Sequence, residues 1–353
     1  MRKKPYCLEN VPLAHVKNLK TENFMIKKGL AFLLLLSIFL LCMAGCGKRE
    51  ENGTLKIVCT VFSVYEWTRN IVGDVEGVEI VWLVRNGTDV HSYQPTTADI
   101  VDMLSCDLLV YIGGETETWV EKSLEHRKKD ECTMLDLSDA DGVVLREVSA
   151  ESIIGTEDQE ASHEHDHNHA HTHGAMDEHI WLSLRNAEAC SRAIAEAICQ
   201  IDPAREDVYR DRLQSYVAQM RELDEAYQNT IAEASEPTLL FADRFPFVYL
   251  AEDYGIRYVA AFEGCSTESE VTPETILHLA HHADQWDLRW IMVTESSDGT
   301  LAQGIIRATE QKNQRVAVLD SMQSVDWSEM ESGESYLGIM ERNLSVLRQV
   351  LLP

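Results

Sequence analysis

Short apolar runs alternate with helix-length stretches along most of the chain, and this alternation predicts two α/β lobes. The strand-like runs form two sets of four, at residues 55–62, 78–84, 108–113 and 133–137, and at residues 238–242, 258–262, 288–294 and 315–319. Segments of helix length separate them, for example residues 64–72, 97–104 and 273–284. Strands that alternate with helices favour parallel pairing. We therefore expect each lobe to be a mostly parallel four-stranded sheet with flanking helices.

A longer amphipathic tract lies between the two sets of strands. Residues 186–201 are apolar on one face, and Asp202 and Pro203 then offer an N-cap and a proline at the first helical position. From Tyr209 to Ile231, apolar residues recur at steps of three and four. About 30 residues at ~1.5 Å rise span roughly 45 Å. We predict one long, rigid helix that joins the lobes and limits their relative motion.

The beginning of the chain has the pattern of a secretory signal. Two lysines precede an apolar run at residues 29–44, which ends in small residues before Cys46. This junction resembles a lipobox, with Met43 in place of the usual leucine, and it predicts that Cys46 carries a lipid and becomes the mature N-terminus. The run is shorter than the ~18 residues of a membrane span. A start at Met25 would give a signal of ordinary length.

Charge and histidine content point to a cation as the ligand. The net charge of −28 favours solubility above all, and it disfavours nucleic acid and anionic lipid as partners. Six of the 13 histidines alternate with other residues in one acidic tract, at His163, His165, His167, His169, His171 and His173. Neutral imidazoles in such a tract chelate borderline cations such as Zn²⁺. The tract is internal and interleaved with acids, unlike an expression tag, and we expect a disordered accessory metal loop.

Two further histidines occupy places where a ligand crevice is expected. His91 follows the second strand-like run, and His179 lies between the His-rich tract and the long helical tract. In open α/β sheets, ligands bind at the carboxyl ends of the strands. Each histidine alone is more often a capping or partly buried residue than a ligand. The pair beside a chelating loop favours a metal site.

Four segments carry a resemblance to a known family. They are GTDVHSYQPT at 87–96, YIGG at 111–114 with Glu117 and Trp119, DEHIWLSLRNA at 177–187, and SYLGIMERNL at 335–344. Together they resemble the zinc/manganese-binding receptors of ABC importers, the cluster A-I solute-binding lipoproteins, over about residues 55–352. The resemblance implies two pseudo-symmetric lobes and a metal in the cleft, with His91 and His179 as its first two ligands. An acidic His-rich loop just before the second ligand is typical of the zinc-specific members of this family, so the resemblance implies zinc as the cargo.

The third ligand position departs from the pattern of this family. Its members carry His or Glu where this chain has Arg244, and a guanidinium has no free lone pair for a cation. Asp243 could substitute through a shift of one residue, or it could support a ligand or cap the backbone. Arg244 could instead anchor an acidic ligand, or the metal could keep a water there.

The resemblance implies an acidic fourth ligand after the third strand of the second lobe. Glu295 is the first choice there and Asp298 the reserve, while Glu263 follows the preceding strand. Each could equally be a loop or capping carboxylate.

A separate histidine cluster could form an accessory site. His278, His281 and His282 have the i, i+3, i+4 spacing of one helix face. The alternative is an ordinary surface helix.

The sequence thus predicts the following organisation: a signal peptide at 1–45, a tether at 46–54, an N-terminal lobe at 55–158, a disordered His-rich loop at 159–176, a ligand segment with linking helix at 177–236, and a C-terminal lobe at 237–353. We expect a monomeric, lipid-anchored receptor on the extracytoplasmic face of the membrane, without enzymatic activity, that passes Zn²⁺ as cargo to an ABC importer permease. Manganese or iron is the alternative cargo. Alternatives of other classes are a metal-dependent hydrolase, for which no motif is present, and a zinc-buffering adhesin.

Overall fold

The computed structural model describes residues 54–125, 132–147, 176–264 and 271–352. The predicted signal peptide, Cys46 and the six histidines of the predicted loop lie outside these described residues. Among the helices of the described residues, none is long and apolar enough to cross a membrane.

Eight strands form two sheets with the same strand order. They are β1 Leu55–Cys59, β2 Val78–Trp82, β3 Leu108–Tyr111, β4 Thr133–Asp136, β5 Thr238–Phe245, β6 Arg257–Glu263, β7 Trp290–Thr294 and β8 Arg315–Leu319. The orders are β2-β1-β3-β4 and β6-β5-β7-β8, and every neighbouring pair is parallel. The second sheet therefore repeats the first. The predicted fold class and all eight predicted strands are confirmed.

Helices connect the strands and flank both sheets. They are α1 Phe62–Val72, α2 Thr97–Ser105, α3 Thr118–Leu124, α4 Leu184–Ile201, α5 Glu206–Ala232, α6 Val248–Tyr254, α7 Pro273–Gln285, α8 Thr300–Ala308, α9 Trp327–Glu331 and α10 Tyr336–Leu351. Short 3₁₀ turns occupy Val90–Ser92, Ile180–Leu182 and Pro203–Arg205. The first two of these turns carry or follow the predicted ligands.

The long helix α5 joins the two lobes, as predicted, but it begins later than the sequence suggested. A 3₁₀ turn follows Asp202, and the side chain of Asp202 makes no capping hydrogen bond. It accepts a hydrogen bond from Tyr209 Oη at 2.5 Å instead. The 27 residues of α5 span about 40 Å. Its buried face packs against α1, α4 and α10, in a hydrophobic core that also includes Phe245 of β5.

Three buried hydrogen bonds fix the segment that follows the His-rich region to the second half of the chain. Trp181 Nε1 donates to the carbonyl of Ser321 at 2.9 Å, and Tyr336 Oη donates to the carbonyl of Trp181 at 2.7 Å. Tyr249 Oη donates to the carbonyl of Asp177 at 2.5 Å. Because buried polar groups are costly to leave unpaired, these bonds specify one position for the segment. They place His179 between the two sheets.

Candidate metal centre

His91 is held by the loop that follows β2. Asp89 caps the 3₁₀ turn, since its Oδ1 accepts the backbone N–H of His91 at 2.9 Å. The Nδ1 atom of His91 lies 3.0 Å from Thr116 Oγ1. Burial, and then the neighbouring His179, lower the pKa of His91 to about 4. The ring is therefore neutral at pH 7, which is the state that binds a cation.

His179 is completely buried, and Asp177 determines its orientation. Asp177 Oδ1 accepts the backbone N–H of His179 at 2.9 Å and lies 3.0 Å from its Nδ1. When Nδ1–H donates to this carboxylate, the lone pair of Nε2 faces the opposite side of the ring. The second lobe approaches the ring closely at Gly264, where a Cβ would lie 2.9 Å from His179 Cε1. A carboxylate behind a buried imidazole is typical of metal-binding histidines.

The two predicted histidines face each other across the site. His91 Nε2 and His179 Nε2 are 3.0 Å apart. Two Zn–N bonds of about 2.0–2.1 Å at a tetrahedral angle would separate the nitrogens by roughly 3.3 Å. Only a small opening of the pair is therefore needed for a cation to bind both.

Gln323, which the sequence analysis missed, completes this cluster. Its Nε2 lies 3.2 Å from His91 Nε2 and within hydrogen-bonding distance of His179 Nε2. Gln323 belongs to the loop directly after β8. It therefore lies at the carboxyl end of a strand, as His91 does, which is where ligands bind in open α/β sheets. Histidines and acids mark a candidate metal site in a sequence, whereas a single neutral amide gives no such signal.

Asp243 and Arg244 lie at an irregularity in β5. The register with β6 shifts between Phe241 and Arg244, which is the signature of a β-bulge. Asp243 Oδ2 accepts the hydroxyl of Thr294 at 2.8 Å, and Oδ1 accepts the backbone N–H of Arg244. Asp243 is thus hydrogen-bonded within the second lobe. Its part as a ligand stays a prediction.

Glu295 holds the loop that carries Gln323. Its carboxylate accepts the N–H and the hydroxyl of Ser321, both at 2.8 Å, and lies 3.3 Å from Ser324 Oγ. Asp320 lies in the same loop, and burial, together with the nearby charge of Glu295, raises its pKa to about 6. Among the described residues, no group of three or more His, Cys, Asp or Glu side chains is arranged to hold a metal. The structure brings together His91 and His179, but not Asp243 or Glu295 with them.

The remaining candidates lie in different surroundings. Asp298 is exposed and accepts the N–H of Thr300 at the start of α8, which is a capping role. Glu263 lines a cavity of about 540 Å³ together with His91 and Asp177. The three histidines of α7 lie on a surface helix, where the ring of His282 packs on Trp286.

Comparison with known proteins places the chain in a family. The family model described as "Zinc-uptake complex component A periplasmic" (ZnuA) matches residues 57–350. The chain belongs to this family. The match covers both lobes and the linking helix, and it confirms the resemblance drawn from the sequence motifs.

Two curated relatives show how much of the chain the family covers. The "High-affinity zinc uptake system protein ZnuA" of Bacillus subtilis is 30% identical over 336 residues, which are 93% of this chain and 99% of that protein. The "Zinc-binding lipoprotein AdcA" of Streptococcus pneumoniae is 27% identical over 320 residues. These are 90% of this chain but 60% of that protein. The chain thus spans less than two thirds of the length of the AdcA relatives it matches.

A solved structure supports the fold. The crystal structure of the "Metal-dependent Lipoprotein YcdH" of Bacillus subtilis superposes with a TM-score of 0.68 at 24% identity. The superposition covers 85% of this chain and 100% of that one. At this identity the likeness concerns the two-lobed architecture alone.

Proposed function

We propose that this protein is an extracytoplasmic receptor that captures Zn²⁺ and delivers it to the permease of an ABC importer. The observation that carries the proposal is the 3.0 Å separation of His91 Nε2 and His179 Nε2 at the end of the strands. Membership in a family of zinc-uptake components supports the transport role. A receptor needs to bind its cargo reversibly, and two imidazoles with few further ligands suit that task.

The donor atoms favour zinc among the family's cargoes. Neutral imidazole nitrogen is a preferred ligand of Zn²⁺, whereas Mn²⁺ prefers carboxylate, carbonyl and water oxygens. In the described structure the carboxylates of Asp243 and Glu295 are engaged with Thr294 and Ser321. To bind Mn²⁺, these two carboxylates would have to give up their hydrogen bonds to Thr294 and Ser321. Zn²⁺ can bind the imidazole pair first.

We also propose a lipid anchor at Cys46, an accessory zinc-binding loop and direct transfer of the zinc ion to the permease. Cys46 and the histidines at 163–173 lie outside the described residues, but His173 precedes Met176 by three residues in the chain, and Met176 lines the cavity beside His91. An acidic chelating tract at this position would raise the local concentration of zinc at the mouth of the site. The anchor would keep the loaded receptor beside its permease.

Alanine substitution of the two histidines tests the metal site. His91→Ala and His179→Ala should each weaken Zn²⁺ binding at least tenfold, or about 1.4 kcal/mol, in competition with a chromogenic chelator. His281→Ala is the matched control, because it removes an exposed imidazole from α7. Wild-type affinity in the double variant, with residues 162–174 also deleted, would refute the site. The same titration with Mn²⁺ decides between the two cargoes.

Cellular uptake tests the transport role separately. Cells that lack the receptor should regain growth under zinc limitation with the wild-type chain but not with the double histidine variant. Zinc-dependent turnover of a substrate without effect on uptake would favour the hydrolase instead.

A further inference from the structure

Two cysteines meet at the end of the first sheet that lies opposite His91. Cys106 is the C-cap residue of α2, just before β3, and Cys132 lies directly before β4. Their Sγ atoms are 3.0 Å apart. Because β3 and β4 are parallel neighbours, both cysteines lie at the amino ends of the strands, whereas His91 follows the carboxyl end of β2. The pair therefore forms a cluster of reactive groups outside the candidate metal centre.

The pairing of β3 with β4 holds the two cysteines at a distance that a disulfide can bridge. Leu108 pairs with Thr133, and the N–H of Thr133 donates to the carbonyl of Asp107 at 2.9 Å. Cys132 thus lies opposite Asp107, and Cys106 lies one residue before it. Cα atoms offset by one residue across neighbouring strands are roughly 6 Å apart. Disulfides join Cα atoms that are about 4.4–6.8 Å apart, so the backbone can stay in place.

The two thiols differ in their access to solvent. Cys106 is buried, and its thiol donates to the carbonyl of Met103 at 3.1 Å. Cys132 is partly exposed, and its thiol lies 3.2 Å from the carbonyl of Thr133. A reagent in solution therefore meets Cys132 first, while Cys106 is reached only through Cys132.

We infer that Cys106 and Cys132 are a redox modification site, at which an external disulfide oxidises the two thiols to a disulfide bond. The thiolate of Cys132 attacks one sulfur of the external disulfide, whose S–S bond breaks and releases one thiolate. The thiolate of Cys106 then attacks Sγ of Cys132 and expels the second thiolate. The two leaving thiolates take up the two protons that the cysteines lose. The protein gives up two electrons, and the external disulfide is reduced to two thiols.

The bond would close the segment from residue 106 to residue 132. This segment contains β3 and α3, and also Thr116, whose Oγ1 is 3.0 Å from Nδ1 of His91. A cross-link stabilises a fold mainly because it restricts the unfolded chain. The disulfide therefore stabilises the first lobe around the support of His91. The inference does not depend on the proposed function, because it concerns the opposite end of the sheet.

The other buried cysteines of the first lobe and of α4 serve as a contrast. Cys59 is completely buried and lies 3.4 Å from Thr68 Oγ1. Burial raises the pKa of Cys59 to about 12, and burial also raises the pKa of Cys190 in α4. Because the thiolate is the reactive form, these two cysteines should stay reduced under the same oxidant. Cys190→Ala is therefore a matched control for the pair.

Peptide mapping tests whether the bond forms. The purified chain is treated with oxidised glutathione, remaining thiols are blocked with iodoacetamide, and trypsin is added without a reductant. Trypsin places Cys106 and Cys132 in separate peptides, residues 86–122 and 130–146. The wild type and Cys190→Ala should give these peptides linked, at their summed mass less two hydrogens, and dithiothreitol should separate them. Unlinked peptides, or glutathione on Cys132 without a link to Cys106, would overturn the inference.

The melting temperature of the metal-free protein gives a second readout. Dithiothreitol should lower the melting temperature of the oxidised wild type by roughly 5–10 °C. Cys132→Ser should melt at the same temperature with and without dithiothreitol. Its partly exposed position makes it the safer variant, since Cys106→Ser alters a buried site. An equal effect of dithiothreitol on wild type and Cys132→Ser would show that this bond does not stabilise the fold. Zinc affinity of the histidine variants is measured separately, so either proposal can fail alone.

Discussion

Arg244 Nη1 lies 3.4 Å from Asp89 Oδ2, so a guanidinium from β5 contacts the loop that carries His91. The other carboxylate oxygen of Asp89 accepts the backbone N–H of His91. The sequence alone allowed the possibility that Arg244 anchors an acidic ligand of the metal. The acid that it contacts is Asp89, and neither Asp243 nor Glu295 is its partner in a salt bridge among the described residues. Arg244 therefore joins β5 of the second lobe to the loop of the first lobe that supports His91.

The exposure of this ion pair predicts unequal effects of its two partners. The side chains of Arg244 and Asp89 are 38% and 29% exposed, and a pair of this kind contributes at most about 1 kcal/mol. Arg244→Ala should therefore change the Zn²⁺ dissociation constant less than about fivefold. Asp89→Ala should weaken binding by about tenfold, because it also removes the cap that positions His91. Chelator competition ranks the two variants, and the reverse order would show that Arg244 supports a ligand directly.

Asp177 should matter for affinity although it is not expected to touch the metal. Its carboxylate fixes the tautomer of the buried His179, and loss of such a partner typically costs about 10–100-fold in metal affinity. Asp177→Asn should weaken Zn²⁺ binding within this range. Asp211→Asn, an exposed acid of α5, removes the same charge far from this contact. An equal loss of Zn²⁺ affinity in both variants, measured by isothermal titration, would show that the effect comes from the net charge alone.

Deletion of residues 162–174 should separate storage from tight binding. The deletion removes the six alternating histidines of the predicted accessory loop. We expect fewer zinc ions per chain, an unchanged highest-affinity phase and nearly the same melting temperature without metal, because the segment has little apolar surface to pack. Isothermal titration counts the phases. Loss of the tightest phase would place the loop in the primary site.

Glu117 should make the stability of the protein fall with rising pH. Burial raises the pKa of this carboxyl from 4.5 to about 7, against hydrogen bonds from Gly113 and Ile112 that lower it. Between these two values the folded state keeps a proton that the unfolded state has lost. The free energy of unfolding therefore decreases as the pH rises from about 4.5 through 7.

Glu117→Gln should remove this dependence and stabilise the protein above pH 7, by an amount on the order of 3 kcal/mol. Urea unfolding of both proteins at pH 5 and pH 8 gives the comparison. Parallel pH profiles for wild type and variant would show that the carboxyl is already ionised in the folded state.

Local patterns determined much of this protein. The periodicity of apolar residues is a property of short windows, and it was enough to predict the eight strands, the linking helix and the two-lobed class. His91 was then predicted as a ligand because it follows a strand, at the edge of the sheet where ligands bind. His179 was predicted because it lies between the His-rich tract and α4.

Only the tertiary structure decided how the site is composed. The 3.0 Å approach of the imidazoles depends on a hydrophobic core shared by both lobes, and on buried hydrogen bonds such as Trp181 to Ser321. A bulge in β5 turns Asp243 to Thr294, and no periodicity signals it. Gln323 reaches the histidines because a fixed loop delivers it there from far along the chain. Strand and helix follow from neighbours in sequence, whereas a ligand set follows from distances between segments that only packing brings together.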